Sequence, residues 1–318
     1  MPKGSSIEWS ANLGQIEYIM QFSLILATKN RVTEVERFLQ SLTTQSHTDF
    51  EVIVVDQNRD DRLVELIELY SQKFFILHLK QLEPGLSRAR NLGRSHIKGD
   101  LVAFPDDDCL YPPELLAQVV HYFEDSQTEV AIARAFDIDE DKNAFLYCGD
   151  DNSGVVDLER AFRIGITFVM FFHAHVVKEV AFDETVGPGS GTPWGCGEDM
   201  DYLFRCVRAG YSIYYNAKLI VRHPNPFKIY NFRQLLWREY SYGRGNGYLM
   251  GNNFSSSFVR AEILPNVPYV ITYMFQGRFD YSAYVAAAIL GMSLGYWDSV
   301  RQPKSVQTMK KLTGGLIA

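Results

Sequence analysis

The sequence predicts an α/β domain on a mostly parallel sheet, followed by a helical, apolar and basic extension. Three observations carry this. Strand-like apolar runs alternate with amphipathic stretches through the first hundred residues. Acidic and polar residues follow several of those runs, and the balance of charge changes sign late in the chain. With 318 residues, 47% hydrophobic and 22% charged, the chain has a globular composition and room for one large domain or two ordinary ones.

Residues 22–27 predict a strand, and Val32, Val35, Phe38, Leu39 and Leu42 form one face of a helix after it. Residues 52–55 predict the next strand, which completes a β-α-β unit. Leu63, Leu66, Ile67 and Tyr70 mark another helix, followed by a strand at 74–79, a helix at 86–97 and a strand at 101–104. Such sheets bind ligands beyond the carboxyl ends of their strands, which here are the stretches 28–31, 56–58 and 106–108.

Beyond Cys109 the alternation loosens. A helix opened by Pro112 and Pro113 runs to about 123, and residues 130–133 and 168–177 predict strands. Five glycines between 187 and 197 predict a mobile loop, leading into a helix from about Met200 to Ala209 that Gly210 ends. A strand-like stretch at 218–221 precedes His223 and Pro224. The last third holds a polar, aromatic helix pattern at 231–242, a Gly-Arg-Gly-Asn-Gly run at 243–247 and an uncharged stretch at 281–297. At 1.5 Å per residue those 17 residues reach roughly 25 Å, short of the ~30 Å hydrocarbon core. They are expected to pack on the body, to lie in a membrane interface, or to insert at a tilt.

The formal net charge is −7, against a general nucleic-acid binder. It divides unevenly: residues 1–226 hold 21 Lys and Arg against 34 Asp and Glu, net −13, and residues 227–318 hold 10 against 4, net +6. A basic end of this kind suits an anionic membrane face, and equally a solvated helix face. The four cysteines have no metal-ligand spacing and fit a reducing compartment. Glu8 and Glu17 interrupt any secretory leader, so a cytoplasmic protein, at the inner face of the cell membrane, is expected.

Asp106, Asp107 and Asp108 follow a strand directly, and their mutual repulsion would be relieved by a hard divalent cation bridging to phosphate oxygens. In the run from Gly85 to Gly93, Arg88 and Arg90 open a helix whose start suits a diphosphate. Trp194 offers a flat face for a sugar, and Gly197 leads into Glu198 and Asp199, a carboxylate pair able to take a proton from a hydroxyl nucleophile. His223 is a candidate third ligand beside the aspartates. Each feature also has an ordinary structural reading, as a helix cap, a solvated charge or a core histidine.

Taken in order, Ala27-Thr28-Lys29-Asn30-Arg31, Val54-Val55-Asp56-Gln57-Asn58, Gly85-Leu86-Ser87-Arg88-Ala89-Arg90-Asn91, Phe104-Pro105-Asp106-Asp107-Asp108, Gly197-Glu198-Asp199 and His223-Pro224 resemble the family 2 glycosyltransferases of GT-A fold. The resemblance covers roughly residues 20–225. It implies an inverting transferase with a nucleotide-diphosphate sugar as donor, a divalent cation (Mn2+ or Mg2+) as cofactor, and a carbohydrate or lipid-linked acceptor, as in bacterial-type cell-surface polysaccharide or glycolipid synthesis.

It also implies roles. Thr28, Asn30, Arg31, Asp56 and Asn58 would hold base and ribose, Arg88 would lie near the diphosphate, and Asp106 and Asp107 would face the donor. Asp108, with Asp106 and His223, would ligate the metal. Asp199, or its neighbour Glu198, would be the general base, with Trp194 and Gly197 toward the acceptor. The resembling segments place a catalytic domain at 20–225, divided into a nucleotide-sugar half (20–108) and an acceptor half (109–225), between an N-terminal extension (1–19) and a helical region (226–318) with peripheral membrane contact through 281–297. The run at 243–247 resembles a segment that lies near the diphosphate or acceptor in some members. Gln57-Asn58 and Thr28-Lys29 depart from the commoner patterns and leave the nucleobase open.

Other enzymes fit less well. No G-x-G-x-x-G follows the first strand, so a dehydrogenase is excluded. Thr28–Arg31 lacks the glycine-rich basic loop of a sugar-nucleotide pyrophosphorylase, and no G-K-[ST] marks a P-loop. The non-enzymatic alternative is a catalytically silent nucleotide-sugar or metal-binding scaffold at a membrane.

Overall fold

The computed structural model describes residues 19–144 and 151–301. Nearly all of the expected N-terminal extension, residues 145–150 and the residues after 301 lie outside this description. The chain begins with the predicted alternation: β1 (Phe22–Thr28), α1 (Thr33–Leu42), β2 (Phe50–Asp56), α2 (Val64–Ser71), β3 (Phe75–Lys80), α3 (Leu86–Arg94) and β4 (Leu101–Ala103). β2 is buried along its whole length and β1 nearly so, as apolar inner strands covered on both faces must be. On α1 the buried stripe is Val35, Phe38, Leu39 and Leu42, four of the five positions the periodicity marks.

Next come α4 (Leu115–Glu124), β5 (Val130–Asp137), β6 (Gly154–Val155), α5 (Leu158–Ile164), a 3-10 turn at Thr167–Val169, β7 (Met170–His173), α6 (Ala174–Glu179), α7 (Glu198–Ala209) and β8 (Ile213–His223). The strand order is β3-β2-β1-β4-β7-β5-β8-β6. β3, β2, β1 and β4 run parallel, β7 lies antiparallel between β4 and β5, and β8 pairs parallel with β5. The connections diverge on either side of β1, toward β2 and β4, which opens a crevice at the ends of these strands.

The run at 168–177 is a strand only over β7. The backbone leaves the sheet at Ala174, whose N–H donates to Asp100, and Val176 and Val177 are buried from the short helix α6. α7 starts two residues earlier than the glycines suggest, so Glu198, Asp199 and Asp201 all fall in its first turn, where the helix dipole favours them.

The extension is α8 (Pro226–Ile229), α9 (Phe232–Asn253), α10 (Ser256–Ile263), α11 (Val267–Phe275) and α12 (Phe279–Arg301). The glycine run at 243–247 lies inside α9 and breaks nothing. A Cβ at Gly243 or Gly247 would collide with the carbonyls of Ala288 or Met292, and one at Gly291 or Gly295 with those of Tyr240 or Arg244. The glycines let the backbones of α9 and α12 touch, a use that local propensity cannot reveal. The uncharged stretch 281–297 therefore lies in a helix packed on α9, and no helix among the described residues is long and apolar enough to cross a membrane.

Candidate active site

Thr28 and Asp56 end the paired strands β1 and β2, with Thr28 directly across from Asp56. Asp56 is fully buried and accepts from the backbone and side-chain N–H of Asn58, while His78 and Lys80 of β3 approach its other oxygen at 3.1 and 3.0 Å. Burial works against its charge, but these partners hold it below the usual carboxylate range. Asn58 in turn accepts from the backbone N–H of Asn30, which takes the left-handed conformation (φ 60) that asparagine tolerates. The turn after β1 is thereby tied to the turn after β2. Thr28 donates to Asp107 at 2.7 Å, and Arg31 reaches both Asp107 and Asp108 at 2.6 Å. Five of the expected donor residues thus form one hydrogen-bonded rim, with Asp107 as its inner anchor.

Asp106, Asp108 and His223 converge, one possible ligand atom from each lying within 4.8 Å of the others. β8 delivers His223 from the far side of the sheet, in register with Asp137 of β5. Its Nδ1 lies 2.7 Å from the Pro224 carbonyl, an acceptor, so Nδ1 carries the proton and Nε2 is turned toward Asp108 at 3.2 Å. That is how a ligating imidazole is oriented. Phe168 stacks on the ring at 4.6 Å and fixes its plane. Burial pushes Asp106 up to about 7, Arg90 pulling it down and Asp199 and Asp108 pushing it up again, whereas His223 and Arg31 hold Asp108 at about 2 against its burial. Two carboxylates and an imidazole, one carboxylate reluctant to ionise alone, fit a hard or borderline divalent cation.

The guanidinium at the centre is Arg90, to which the sequence assigns no separate role. Only 2% of its side chain is exposed. It donates to Asp199 at 2.7 Å and to Asp106 at 3.2 Å, and lies 3.7 Å from Glu198. One planar group thus links the candidate metal site to the acidic start of α7. Its signal in the sequence is helical spacing. Ser87, Arg90 and Gly93 share the face of α3 that meets the sheet, where a Cβ on Gly93 would strike Ile25. Arg88 is on another face and pairs with Glu83 and Glu184 at 2.8 and 3.0 Å, away from the carboxylates. The start of α3 is likewise occupied: Leu86 N–H donates to the Pro188 carbonyl, and the Ser87 hydroxyl to that of Val186.

The two acids of α7 differ in environment. Asp199, with 22% of its side chain exposed, accepts from Arg90 and from the Thr167 hydroxyl. Glu198 is buried, and its Oε2 has no hydrogen-bond partner among the described residues. Burial, reinforced by Asp199, pushes Glu198 up to about 8, so at neutral pH it carries its proton. Gly197 precedes the pair at φ 100, a conformation that favours glycine, and a Cβ there would press on Leu249 of α9.

Trp194 is half-buried, with one face covered. It stacks on Tyr248 at 3.7 Å and its indole N–H donates to Asp298, so the glycine loop is pinned to α9 and α12. The open aromatic surface is nearby, in a cleft of about 690 Å³ between that loop and α9, lined by Gly195, Tyr230, Trp237, Arg238, Tyr240 and Tyr242 among others. Trp237 is 69% exposed. Tyr242, 41% exposed, carries the Arg238 guanidinium over its ring at 4.1 Å. Tyr230, Gln234, Trp237, Ser241 and Arg244 follow a 4-3-4-3 spacing, which is the signal the sequence held for this wall.

Comparison with known proteins agrees with this geometry. Residues 23–176 match the family described as Glycosyl transferase family 2. An uncharacterized glycosyltransferase of Haemophilus influenzae is 35% identical over 102 residues, 32% of this chain and 34% of that protein. The poly(ribitol-phosphate) beta-N-acetylglucosaminyltransferase TarS of Staphylococcus aureus is 30% identical over 121 residues, 36% of this chain and 21% of that protein. The matched stretch is thus about a third or less of either relative's length. Among solved structures, the mannosyltransferase PcManGT from Pyrobaculum calidifontis, in complex with GDP-Man and Mn2+, superposes with a TM-score of 0.58 at 14% identity, covering 89% of this chain and 88% of that one. TarS 1–349 in complex with UDP gives 0.54 at 16% identity, covering 89% and 92%. Residues 23–176 are thus similar to the family 2 glycosyltransferases, and the fold is of the GT-A type.

Proposed function

We propose that the chain transfers a sugar from a nucleotide-diphosphate sugar to a hydroxyl of a carbohydrate or lipid-linked acceptor, in one displacement with inversion. The observation that carries this is the Arg90 guanidinium, which joins a convergent Asp106–Asp108–His223 set to Asp199. The cation site for the leaving diphosphate and the proton acceptor are thereby held by one guanidinium. The relatives' names support the donor class: TarS is described with UDP and PcManGT with GDP-Man and Mn2+.

The rim of Thr28, Asn30, Arg31, Asp56 and Asn58 orients the nucleoside, and Asp106, Asp108 and His223 would hold a Mn2+ or Mg2+ ion. When bound, that cation supplies positive charge against the diphosphate. Asp199 takes the proton of the acceptor hydroxyl. The acceptor oxygen bonds to the anomeric carbon from the face opposite the diphosphate, the bond from that carbon to the diphosphate oxygen breaks, and the nucleotide diphosphate leaves with the electron pair. Asp199 suits the base because it is accessible and is oriented by Arg90 and Thr167, whereas Glu198 is buried and pushed up to about 8. The α9 cleft, with Trp237 and Tyr240 as stacking faces, receives the acceptor in place of Trp194.

Asp199→Asn is expected to lose about 10²–10⁴-fold in turnover while donor and metal binding persist. Normal turnover by the variant, or a product retaining the donor's anomeric configuration by NMR, would overturn the reading. Donor binding without turnover by the wild type would favour the silent scaffold.

A further inference from the structure

The helical extension is packed in reverse for a hairpin surrounded by water. α9 and α12 meet through Gly243, Gly247, Gly291 and Gly295, so the large apolar side chains of α12 turn outward. Leu290, Leu294, Trp297 and Val300, spaced as one helical stripe, are all exposed. α11 goes further. Residues 263–277 hold no charged side chain, and no residue of α11 is buried. Its inner side is used against α12, where Ser282 donates to the Val270 carbonyl and Tyr273 lies against Tyr281. The outer stripe of Leu264, Val267, Ile271, Met274 and Phe275 is left bare, with Ile271 55% and Phe275 89% exposed. A continuous apolar stripe of this kind marks a surface that meets something less polar than water.

The charges around it say what. Glu262 is paired with Arg163, and Asp298 with Arg244. The charged residues of α10–α12 and the turn before α12 without an ion pair among the described residues are then Arg260, Arg278 and Arg301 against Asp280, which is three minus one, or +2. Arg278 lies over Tyr281 at 3.9 Å and Arg301 over Trp297 at 4.5 Å, the cation–aromatic pairing that suits the headgroup level of a bilayer. Residues 1–226 are net −13, so an anionic surface attracts this end and repels the body.

We propose that the α10–α12 end docks on an anionic lipid bilayer without spanning it, with Val267, Ile271, Met274 and Phe275 at the boundary of headgroups and acyl chains and the three arginines at the phosphates. The contact centres on α11, ahead of the stretch 281–297, whose small-residue face is taken by α9. This docking is independent of the donor chemistry; it rests on the glycosyl-transfer reading only in making a lipid-linked acceptor the one presented to the α9 cleft.

The test is sedimentation of the full chain with vesicles of phosphatidylcholine alone and of phosphatidylcholine mixed with phosphatidylglycerol, for the wild type and for I271E/F275E, with no donor present. The wild type is expected to partition onto the anionic vesicles and to be released by salt, and the double variant to lose about tenfold or more while keeping the wild-type melting temperature and its turnover of a soluble acceptor. Absence of vesicle binding, or binding the substitutions do not change, overturns the proposal. So does a wild-type dimer in solution that I271E/F275E dissociates, since a second copy would then cover the stripe. Absence of turnover by the wild type, with vesicle binding as expected, would count against the glycosyl-transfer reading and leave the docking standing.

Discussion

Replacing Arg90 by methionine keeps an apolar stem and removes the guanidinium, with its charge, its donors and its approach to the Phe182 ring at 5.3 Å. Three carboxylates would then face one another, since Asp199, Asp106 and Glu198 approach this group at 2.7, 3.2 and 3.7 Å. Breaking a buried ion pair from one side costs about 3–5 kcal/mol. Asp106 and Glu198 already titrate high, at about 7 and about 8, and can relieve part of that cost by keeping their protons, so the lower end, about 3 kcal/mol, applies. For a chain of 318 residues, at about 2.1 cal/mol/K of unfolding entropy per residue, that is roughly 4–5 °C in melting temperature.

The sign with pH follows. Without the guanidinium the carboxylates titrate higher still, the folded protein binds more protons than the unfolded one, and stability falls as pH rises. Thermal denaturation of wild type and Arg90→Met should therefore show a deficit that widens from about pH 6 to about pH 8. Arg90→Lys should recover some stability and little turnover, because one ammonium cannot reach Asp106 and Asp199 in the same fork. A change below about 1 kcal/mol at both pH values, with turnover intact, would refute the argument that Arg90 holds the site together.

Glu198→Gln tests the buried acid. Its folded-state pKa, about 8, lies above the ordinary 4.5, so the wild type loses stability as pH rises between these values, by up to about 1.4 kcal/mol per unit. Urea denaturation across that range should show the slope in the wild type and a flatter profile in Glu198→Gln; parallel profiles would contradict a protonated Glu198. For the metal set, Mn2+ should raise the melting temperature of the wild type and leave Asp108→Ala unmoved, since Asp108 is the carboxylate held ionised, at about 2. Equal stabilisation of both proteins would place the ion elsewhere.

The first half of the fold was legible because its strands are continuous apolar runs and its helices carry one clean stripe, so local patterning and tertiary burial agree along β1, α1 and β2. Asp106, Asp107, Asp108, Glu198, Asp199 and His223 were legible as candidates because acids at strand ends and helix starts are chemically conspicuous in any sequence. Their partners were not. Which of two arginines on α3 turns inward depends on the face that meets the sheet, so Arg88 ended in surface ion pairs and Arg90 at the centre. Trp194 reads as an open sugar platform until Tyr248, more than fifty residues later, stacks on it, and Trp237 then takes over the exposed face. Glycine lowers local helix stability, so nothing local announces that α9 continues through 243–247; only contact with the backbone of α12 makes the missing side chains favourable. The sequence by itself determined the alternating sheet and the carboxylates it carries, since both follow from residue type and short-range period. The tertiary structure decided which cation, ring and acid meet at the site, because those contacts join positions far apart in the chain whose cost or benefit exists only once they are buried together.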